Sequence, residues 1–297
     1  MHILVLGAGA IGTYYGARLS TQHDVTLVGR PGHVARIARD GVRVTGLEEA
    51  TYAVRGATDA GALTPGTLIL LTTKVYDSEA AIRPLVDRLR PDHCILCLQN
   101  GLHVEDSVKA IVGDRCPVLR GIVQFGVTFV EPGVVALKGR GHTSIEPHAR
   151  ARELADLLTA CGLDGRVSAD IRDEVWQKVV VNCVVNPLTA MTGMEVGWVA
   201  DARMDPLKQR IVDECAAVAA KDGVRIADDF VRRINDAYRP STNLSSMHQD
   251  LRKGRRTEIA YLNGAVVALG ARHGIDCPVN RALTAIIRVM ESNERPS

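Results

Sequence analysis

The first half of the chain alternates short apolar runs with longer stretches of mixed polarity. The apolar runs predict strands, and apolar residues spaced three and four apart in the stretches between them predict helices. Because strands that alternate with helices form parallel sheets, this half predicts an α/β domain. We expect strands at 3–6, 25–28, 68–73 and 94–98, and helices near 11–20, 77–90 and 103–112.

The next segment has strand patterns without intervening helices. "VLRGIVQF", "VTFVEPGVVAL" and "HTSIEP" each predict a strand region, with Pro132-Gly133 as a hairpin turn. We expect these strands to extend the sheet in the antiparallel direction. A helix at 150–161 and a polar loop around 162–168 should follow.

From Asp170 to the end of the chain, helical periodicity dominates. The chain therefore predicts two domains, an α/β domain over 1–166 and an all-α domain over 167–297. The helices expected in the second domain are 170–190, 203–222, 227–237, 257–273 and 279–291.

The motif "GAGAIG" at residues 7–12 directly follows the first strand and opens the first helix. In this context Gly7 permits a tight turn, Gly9 lets the backbone approach a pyrophosphate, and Gly12 lets helix and strand pack closely. The free N–H groups of the helix N-terminus attract phosphate. The motif predicts a Rossmann-like dinucleotide site formed by Gly7, Gly9, Ala10, Ile11 and Gly12. The alternative is a glycine-rich turn without a ligand.

The end of the second strand indicates which dinucleotide binds. An NAD-specific site places an acidic residue there for the ribose hydroxyls, whereas this chain has Gly29-Arg30 and no Asp or Glu close by. A guanidinium suits a 2′-phosphate, so Arg30 predicts NADP(H) as the cofactor. A solvated surface arginine is the alternative.

Two further strand ends carry polar residues. Lys74 follows the strand "TLILLTT", and Asn100 follows "CILCLQ". Ligands bind beyond the carboxyl ends of strands in such sheets, so both residues are candidates for contacts near the nicotinamide half of the cofactor. A solvated lysine and an ordinary Asn-Gly turn are the alternatives.

A narrow polar stripe runs through the apolar segment "KVVVNCVVNPLTA". Four-residue spacing aligns Glu174, Lys178, Asn182 and Asn186 on one side of a helix. The flanking positions 175, 179, 181 and 185 are all valine, as expected for a helix that lines a cleft. Because unpaired buried amides are costly, either an internal hydrogen-bond network or a polar ligand should meet them.

A second polar cluster lies in "STNLSSMHQDLRKGRRTEIAYLNG". Ser245 and Ser246 can bond backbone or ligand groups. Glu258 is a candidate for the site, with a carboxylate at a helix N-terminus as the alternative. We expect His248 to be a partly exposed helix residue.

Composition narrows the class of partner. Of the 297 residues, 46% are hydrophobic and 24% are charged, as in an ordinary globular protein. The net charge is only +2, and no basic run is interleaved with aromatic residues, so we do not expect nucleic acid to bind. No apolar stretch reaches the length of a membrane span, and a strand pattern near residue 3 argues against a secretory signal. No His/Cys/Asp cluster has metal-ligand spacing.

The seven cysteines predict buried thiols in a reducing, cytoplasmic setting. Cys94 and Cys97 form a C-x-x-C pair, but both fall within a predicted strand, on opposite faces. This placement favours packing over a redox or zinc site.

The whole chain resembles the ketopantoate reductase family. The resemblance rests on "GAGAIG", "TTKVYD" and "LQNG", and above all on "WQKVVVNCVVNPLTA" and "SSMHQDLRKGRRTEI". It implies NADPH-dependent reduction of 2-dehydropantoate to (R)-pantoate, in pantothenate and coenzyme A biosynthesis. It assigns Lys178 as catalytic acid, with Glu258 assisting. The remaining implied roles are substrate contacts from Asn100, Asn182, Asn186 and Ser246 and cofactor contacts from Arg30, Lys74 and Asn100.

One position departs from the family pattern, because Val196 stands where many members have a substrate-binding asparagine. Reduction of another small 2-oxo acid therefore stays open. A non-enzymatic NADP-sensing protein is a further alternative, although it would not need the Lys178 stripe. A small 2-oxo acid is the expected partner, with a homodimer as an open alternative to a monomer.

Overall fold

The computed structural model describes residues 1–292. The strands, in chain order, are β1 (His2–Leu6), β2 (Asp24–Val28), β3 (Val42–Gly46), β4 (Ala50–Tyr52), β5 (Arg55–Ala57), β6 (Leu68–Leu71), β7 (Cys94–Cys97), β8 (Val118–Val123), β9 (Gly126–Glu131), β10 (Val134–Gly139), β11 (Thr143–Ile145) and β12 (Gly165–Val167). The α-helices are α1 (Ala10–Leu19), α2 (Pro31–Asp40), α3 (Ser78–Ile82), α4 (Val104–Val112), α5 (Ala151–Ala160), α6 (Ile171–Thr192), α7 (Asp205–Ala219), α8 (Phe230–Tyr238), α9 (Ser246–Arg252), α10 (Asn263–Arg272) and α11 (Pro278–Glu291).

The chain divides into two compact units. The first comprises Met1–Gln99 and His103–Ile171, and the second comprises Asn100–Leu102 together with the residues from Arg172 onward. The short segment after β7 therefore belongs with the helices rather than with the sheet from which it emerges.

The main sheet of the first unit has the strand order β12-β11-β8-β7-β6-β1-β2-β5. Strands β8, β7, β6, β1, β2 and β5 run parallel to one another, and β11 runs antiparallel to β8. Apolar side chains pack on both faces, as a sheet buried on both sides requires. This confirms the Rossmann-like α/β fold.

The predicted role of the hairpin was wrong. Strands β9 and β10 form the expected hairpin around Pro132-Gly133, but they join a separate sheet of order β4-β3-β10-β9. The place beside β8 is taken by β11 instead. The physical reason is that β3, which the sequence prediction missed, offers alternating buried valines that pair in parallel with β10.

Three local predictions also needed correction. The predicted helix 77–90 ends as α3 at Ile82 and continues as a 3-10 segment, Arg83–Arg88, because Pro84 has no N–H for an α-helical bond. Helix α2 was not predicted. Strand β12 lies inside the predicted loop at 162–168, where it pairs with β11.

The second unit is helical from α6 to α11, as predicted, and packs around one apolar core. Helix α9 was not predicted, and the predicted helix 257–273 is a 3-10 turn (Ile259–Tyr261) followed by α10. Within residues 1–292, no helix has the length and apolar character needed to cross a bilayer.

Candidate active site

The turn after β1 has the geometry that the glycine motif predicts. Gly7 has φ +110°, and a Cβ added there would lie 2.5 Å from the backbone nitrogen of Thr73. A Cβ on Gly12 would lie 2.0 Å from the carbonyl oxygen of Gly7. Neither position can therefore hold a larger residue without moving the strand–helix turn.

Gly9 is different, because a Cβ added there would meet no atom within 4 Å. Gly9 is the N-cap residue of α1, and it has no side chain that could cap the N–H groups of Ala10 and Ile11. The start of α1 thus presents bare backbone to open space, which suits an approaching phosphate.

Hydrogen bonds hold the neighbouring strand ends around this turn. The Thr72 hydroxyl donates to the carbonyl of Gly7, 2.8 Å away. The amide nitrogen of Gln99, a side chain only 5% exposed, donates to the Thr73 carbonyl at 2.9 Å and the Ser78 hydroxyl at 2.8 Å. These bonds fix the segment on which half-buried Lys74 lies. Sequence reasoning missed Gln99, although it precedes Asn100 in the same strand-end motif.

Arg30 is exposed and is the N-cap residue of α2. Within residues 1–292 its guanidinium makes no ion pair, so its donors are available to a ligand.

Helix α2, which begins directly after Arg30, is held in place by the buried His33. The His33 Nδ1 accepts the N–H of Gly133 at 3.0 Å, so Nε2 carries the proton and donates to Thr13 Oγ1 at 3.0 Å. Burial lowers the pKa of His33, which favours this neutral form.

In the second unit, α6 carries the predicted polar stripe. Lys178 and Asn182 are half-buried, and Asn186 is only 6% exposed. The flanking Val179 and Val185 are buried in the core. The stripe is therefore a narrow polar line bordered by hydrocarbon, as its spacing predicts.

The two asparagines have no internal partner. Within the described residues, neither the Asn182 nor the Asn186 side-chain amide makes a hydrogen bond to protein. The polar atoms of Asn186 nevertheless retain access to the surface. Because a buried amide is costly without a partner, these amides suit a polar ligand better than an internal network.

The serine cluster separates into two roles. Ser246 is exposed at the first position of α9, whereas Ser245 is buried and caps that helix by accepting the His248 N–H at 3.2 Å. The Ser245 hydroxyl lies 2.7 Å from the Thr189 hydroxyl, which also bonds the Val185 carbonyl at 2.7 Å. A continuous chain of hydrogen bonds thus joins α9 to α6, one turn beyond Asn186.

Glu258 and His248 are both more buried than an ordinary surface residue. Glu258 is 7% exposed and is the N-cap residue of the 3-10 turn that follows it, although its side chain makes no capping bond to that turn. The expectation of a partly exposed His248 was wrong, since it is 7% exposed. Core packing of α9 turns this side chain inward.

Asn100 is half-buried and starts the short segment that belongs to the second unit. Gly101, with φ +119°, supplies the turn, and the Leu102 N–H donates to the Tyr261 carbonyl at 3.4 Å. Asn100 is thereby grouped with Lys178, Asn182, Asn186, Ser246 and Glu258, whereas Gly7–Gly12, Arg30 and Lys74 belong to the first unit.

Val196 packs in the apolar core of the second unit and is 5% exposed. Its N–H donates to the Asn243 carbonyl at 2.7 Å. The position is thus apolar in surroundings as well as in residue type. Among residues 1–292, no group of His, Cys, Asp or Glu side chains is arranged to hold a metal ion.

Comparisons with known proteins cover nearly the whole chain. Residues 3–150 match the family model described as "Ketopantoate reductase PanE/ApbA", and residues 170–291 match "Ketopantoate reductase PanE/ApbA C terminal". The 2-dehydropantoate 2-reductase of Pyrococcus horikoshii is 31% identical over 98% of each chain.

Solved structures agree. A PanE/ApbA family ketopantoate reductase from Ralstonia eutropha JMP134 is 32% identical, with a TM-score of 0.90 over 98% of this chain and 99% of that one. D-mandelate dehydrogenase, solved with NADH and anilino(oxo)acetate, is 26% identical, with a TM-score of 0.89 over the same shares. This chain belongs to the ketopantoate reductase family.

Proposed function

We propose that this protein reduces 2-dehydropantoate to (R)-pantoate with NADPH. The observation that carries the proposal is the α6 stripe, in which two amides without protein partners follow Lys178 at four-residue steps. A small 2-oxo acid has a carboxylate and a carbonyl oxygen, and both accept hydrogen bonds from amide and ammonium donors.

The first unit is the proposed NADP-binding domain, with Gly7, Gly9, Ala10, Ile11 and Gly12 along the phosphates. Bound NADPH supplies the hydride. Arg30 is the proposed partner of the 2′-phosphate, because it is exposed, unpaired within the described residues and without an acidic neighbour at the end of β2. Lys74 and Asn100 are proposed to lie by cofactor and substrate.

The second unit is the proposed substrate domain. Negative charge grows on the substrate carbonyl oxygen during reduction, and the Lys178 ammonium is the group proposed to stabilise it and donate the proton. Asn182, Asn186 and Ser246 hold the substrate, and Glu258 assists binding and proton handling. This assignment requires no metal ion.

The test is a panel of 2-oxo acids with NADPH, read by the loss of nicotinamide absorbance. We expect 2-dehydropantoate to have the highest kcat/KM, above the unhydroxylated 2-oxoisovalerate and the aryl acid phenylglyoxylate. Turnover of none of the three would contradict the proposal.

A second candidate is an oxidoreductase for a less polar 2-oxo acid. Two observations favour it: the apolar surroundings of Val196, and the likeness to D-mandelate dehydrogenase. The same panel separates the candidates, since phenylglyoxylate or 2-oxoisovalerate would then outperform 2-dehydropantoate. A shift of preference towards 2-dehydropantoate in Val196→Asn would assign the difference to this position.

The remaining proposals concern the setting of the protein. A cytoplasmic location is supported by the cysteines, all seven of which are free and buried. A homodimer stays a prediction, and light scattering of the purified protein measures it directly.

A further inference from the structure

Helix α6 contains a proline, and this creates a local defect. A helical carbonyl normally accepts a hydrogen bond from the N–H four residues later, but Pro187 has no N–H to give to Cys183. Both residues are buried, and Cys183 is fully so, which keeps water from replacing the missing donor. The Cys183 carbonyl therefore needs a donor from elsewhere in the unit.

Asn263 provides that donor from another helix. It is the first residue of α10, it is fully buried, and its Nδ2 lies 3.0 Å from the carbonyl oxygen of Cys183. The bond joins positions 80 residues apart in the chain.

The orientation of this amide is set by a relay that begins at Glu214. The Glu214 carboxylate accepts the N–H groups of Val279 and Asn280 at 2.8 and 2.9 Å, and also the Asn280 Nδ2 at 2.7 Å. With Nδ2 turned towards the carboxylate, Asn280 Oδ1 faces Asn263, whose Nδ2 lies 2.9 Å away. Both neighbours of Asn263 are thus acceptors, and only its NH2 group can serve them together.

The defect lies between the amides of the candidate site. Asn182 precedes Cys183, and Asn186 precedes Pro187. A proline inside a helix kinks it or loosens it unless neighbouring groups compensate. The direction in which Asn186 projects relative to Lys178 and Asn182 therefore depends on how this turn is held.

We propose that Asn263 is a positioning residue: it replaces the hydrogen bond that Pro187 removes, and thereby fixes Asn186 relative to Lys178 and Asn182. This role rests on the proposed function only where it concerns substrate. The Asn263–Cys183 bond itself is independent of the reaction.

The first test is a double-mutant cycle between Asn263→Ala and Pro187→Ala, measured by urea unfolding. Asn263→Ala should raise the unfolding equilibrium constant about tenfold or more, as expected for an orphaned buried carbonyl. Pro187→Ala restores a backbone N–H at the position that Cys183 needs, so in that background the effect of Asn263→Ala should fall to about threefold. Equal effects in both backgrounds would overturn the proposal.

The matched control is Thr284→Val, which also removes a buried polar group from the second unit. The Thr284 hydroxyl bonds the Asn280 carbonyl at 2.7 Å and does not reach Cys183. Its effect should be the same in the unaltered chain and in the Pro187→Ala background. If Asn263→Ala alone does not fold, the double variant should be recovered folded, and its failure while Pro187→Ala folds would refute the relay.

The second test is kinetic. Asn263→Ala should raise KM for the reduced 2-oxo acid about three- to tenfold with kcat within about twofold, because ground-state contacts to Asn186 are lost while Lys178 is kept. KM should recover in the double variant. An unchanged KM would limit Asn263 to stability and end the positioning role. Failure of the proposed function is seen separately, as inactivity of the unaltered chain.

Discussion

At the scale of single residues, Lys178 is distinguished by where it lies rather than by its type. It is half-buried on α6, one turn before an amide without a protein partner, and it is bordered by valines. A cation in such a place is suited to meet charge that develops on a substrate oxygen.

We expect Lys178→Ala to lower kcat about 10²- to 10⁴-fold, the usual contribution of a positioned acid, with NADPH binding retained. Lys221→Ala is the control, because Lys221 is an exposed lysine of the same unit. Steady-state kinetics with the best substrate of the panel measures both. Near-normal kcat in Lys178→Ala would assign the proton to another group.

Arg30 supports a prediction about cofactor choice. Arg30→Ala should weaken NADPH binding about ten- to a hundredfold, since a charge-assisted contact to phosphate contributes about 1.5–3 kcal/mol, and should leave NADH binding unchanged. Arg39→Ala, an exposed arginine of the same helix that pairs with Asp40, is the matched control. Fluorescence titration with both cofactors reads the outcome, and equal affinity of the unaltered chain for NADPH and NADH would contradict the role of Arg30.

At the scale of elements, α6 and α9 are joined by the Thr189–Ser245 hydrogen bond. Ser245 caps α9, so its position determines where exposed Ser246 begins the helix. Thr189 lies one turn beyond Asn186 on α6. The link therefore sets the distance between two proposed substrate contacts on different helices.

Thr189→Val should destabilise the protein by about 1–3 kcal/mol, because it leaves the buried Ser245 hydroxyl without a partner from α6, and it should raise KM for the 2-oxo acid. Thr192→Val is the control: its hydroxyl bonds the Leu188 carbonyl at 2.8 Å, as Thr189 bonds Val185, but it does not bond Ser245. Thr189→Ser should restore both values. Equal effects of the two valine variants on KM would reduce the link to ordinary helix stability.

At the scale of the whole molecule, the cysteines are divided among the packed cores. Cys94 lies on one face of the main sheet and Cys97 on the other, as the strand pattern predicts. Burial raises the pKa of both thiols to about 12, so the reactive thiolate is scarce at neutral pH.

The native protein should therefore react with almost none of its seven thiols when Ellman's reagent is added, and with all seven in guanidinium chloride. The native count is the measurement and the unfolded count is its control. Rapid reaction of two thiols in the native state would revive a redox role for the C-x-x-C pair.

The most successful sequence-based predictions rest on patterns within short segments of the chain. Alternation of strands and helices gave the α/β unit, "GAGAIG" gave the turn at Gly7 and Gly12, and four-residue spacing gave the stripe of Lys178, Asn182 and Asn186. Periodicity and φ preference act over a few residues, so a linear sequence displays them directly.

Other features depend on partners far away in the chain, and the tertiary structure alone decided them. The β9–β10 hairpin pairs with β3, although β8 lies closer to the hairpin in the sequence. Packing of the second unit likewise buries His248. Pro187 within a helical pattern predicts that the Cys183 carbonyl lacks its helical N–H donor. No local pattern, however, indicates that Asn263 supplies the replacement donor. Local periodicity thus indicated the α/β unit and the polar stripe, whereas burial of polar groups without water determined which distant side chains must meet.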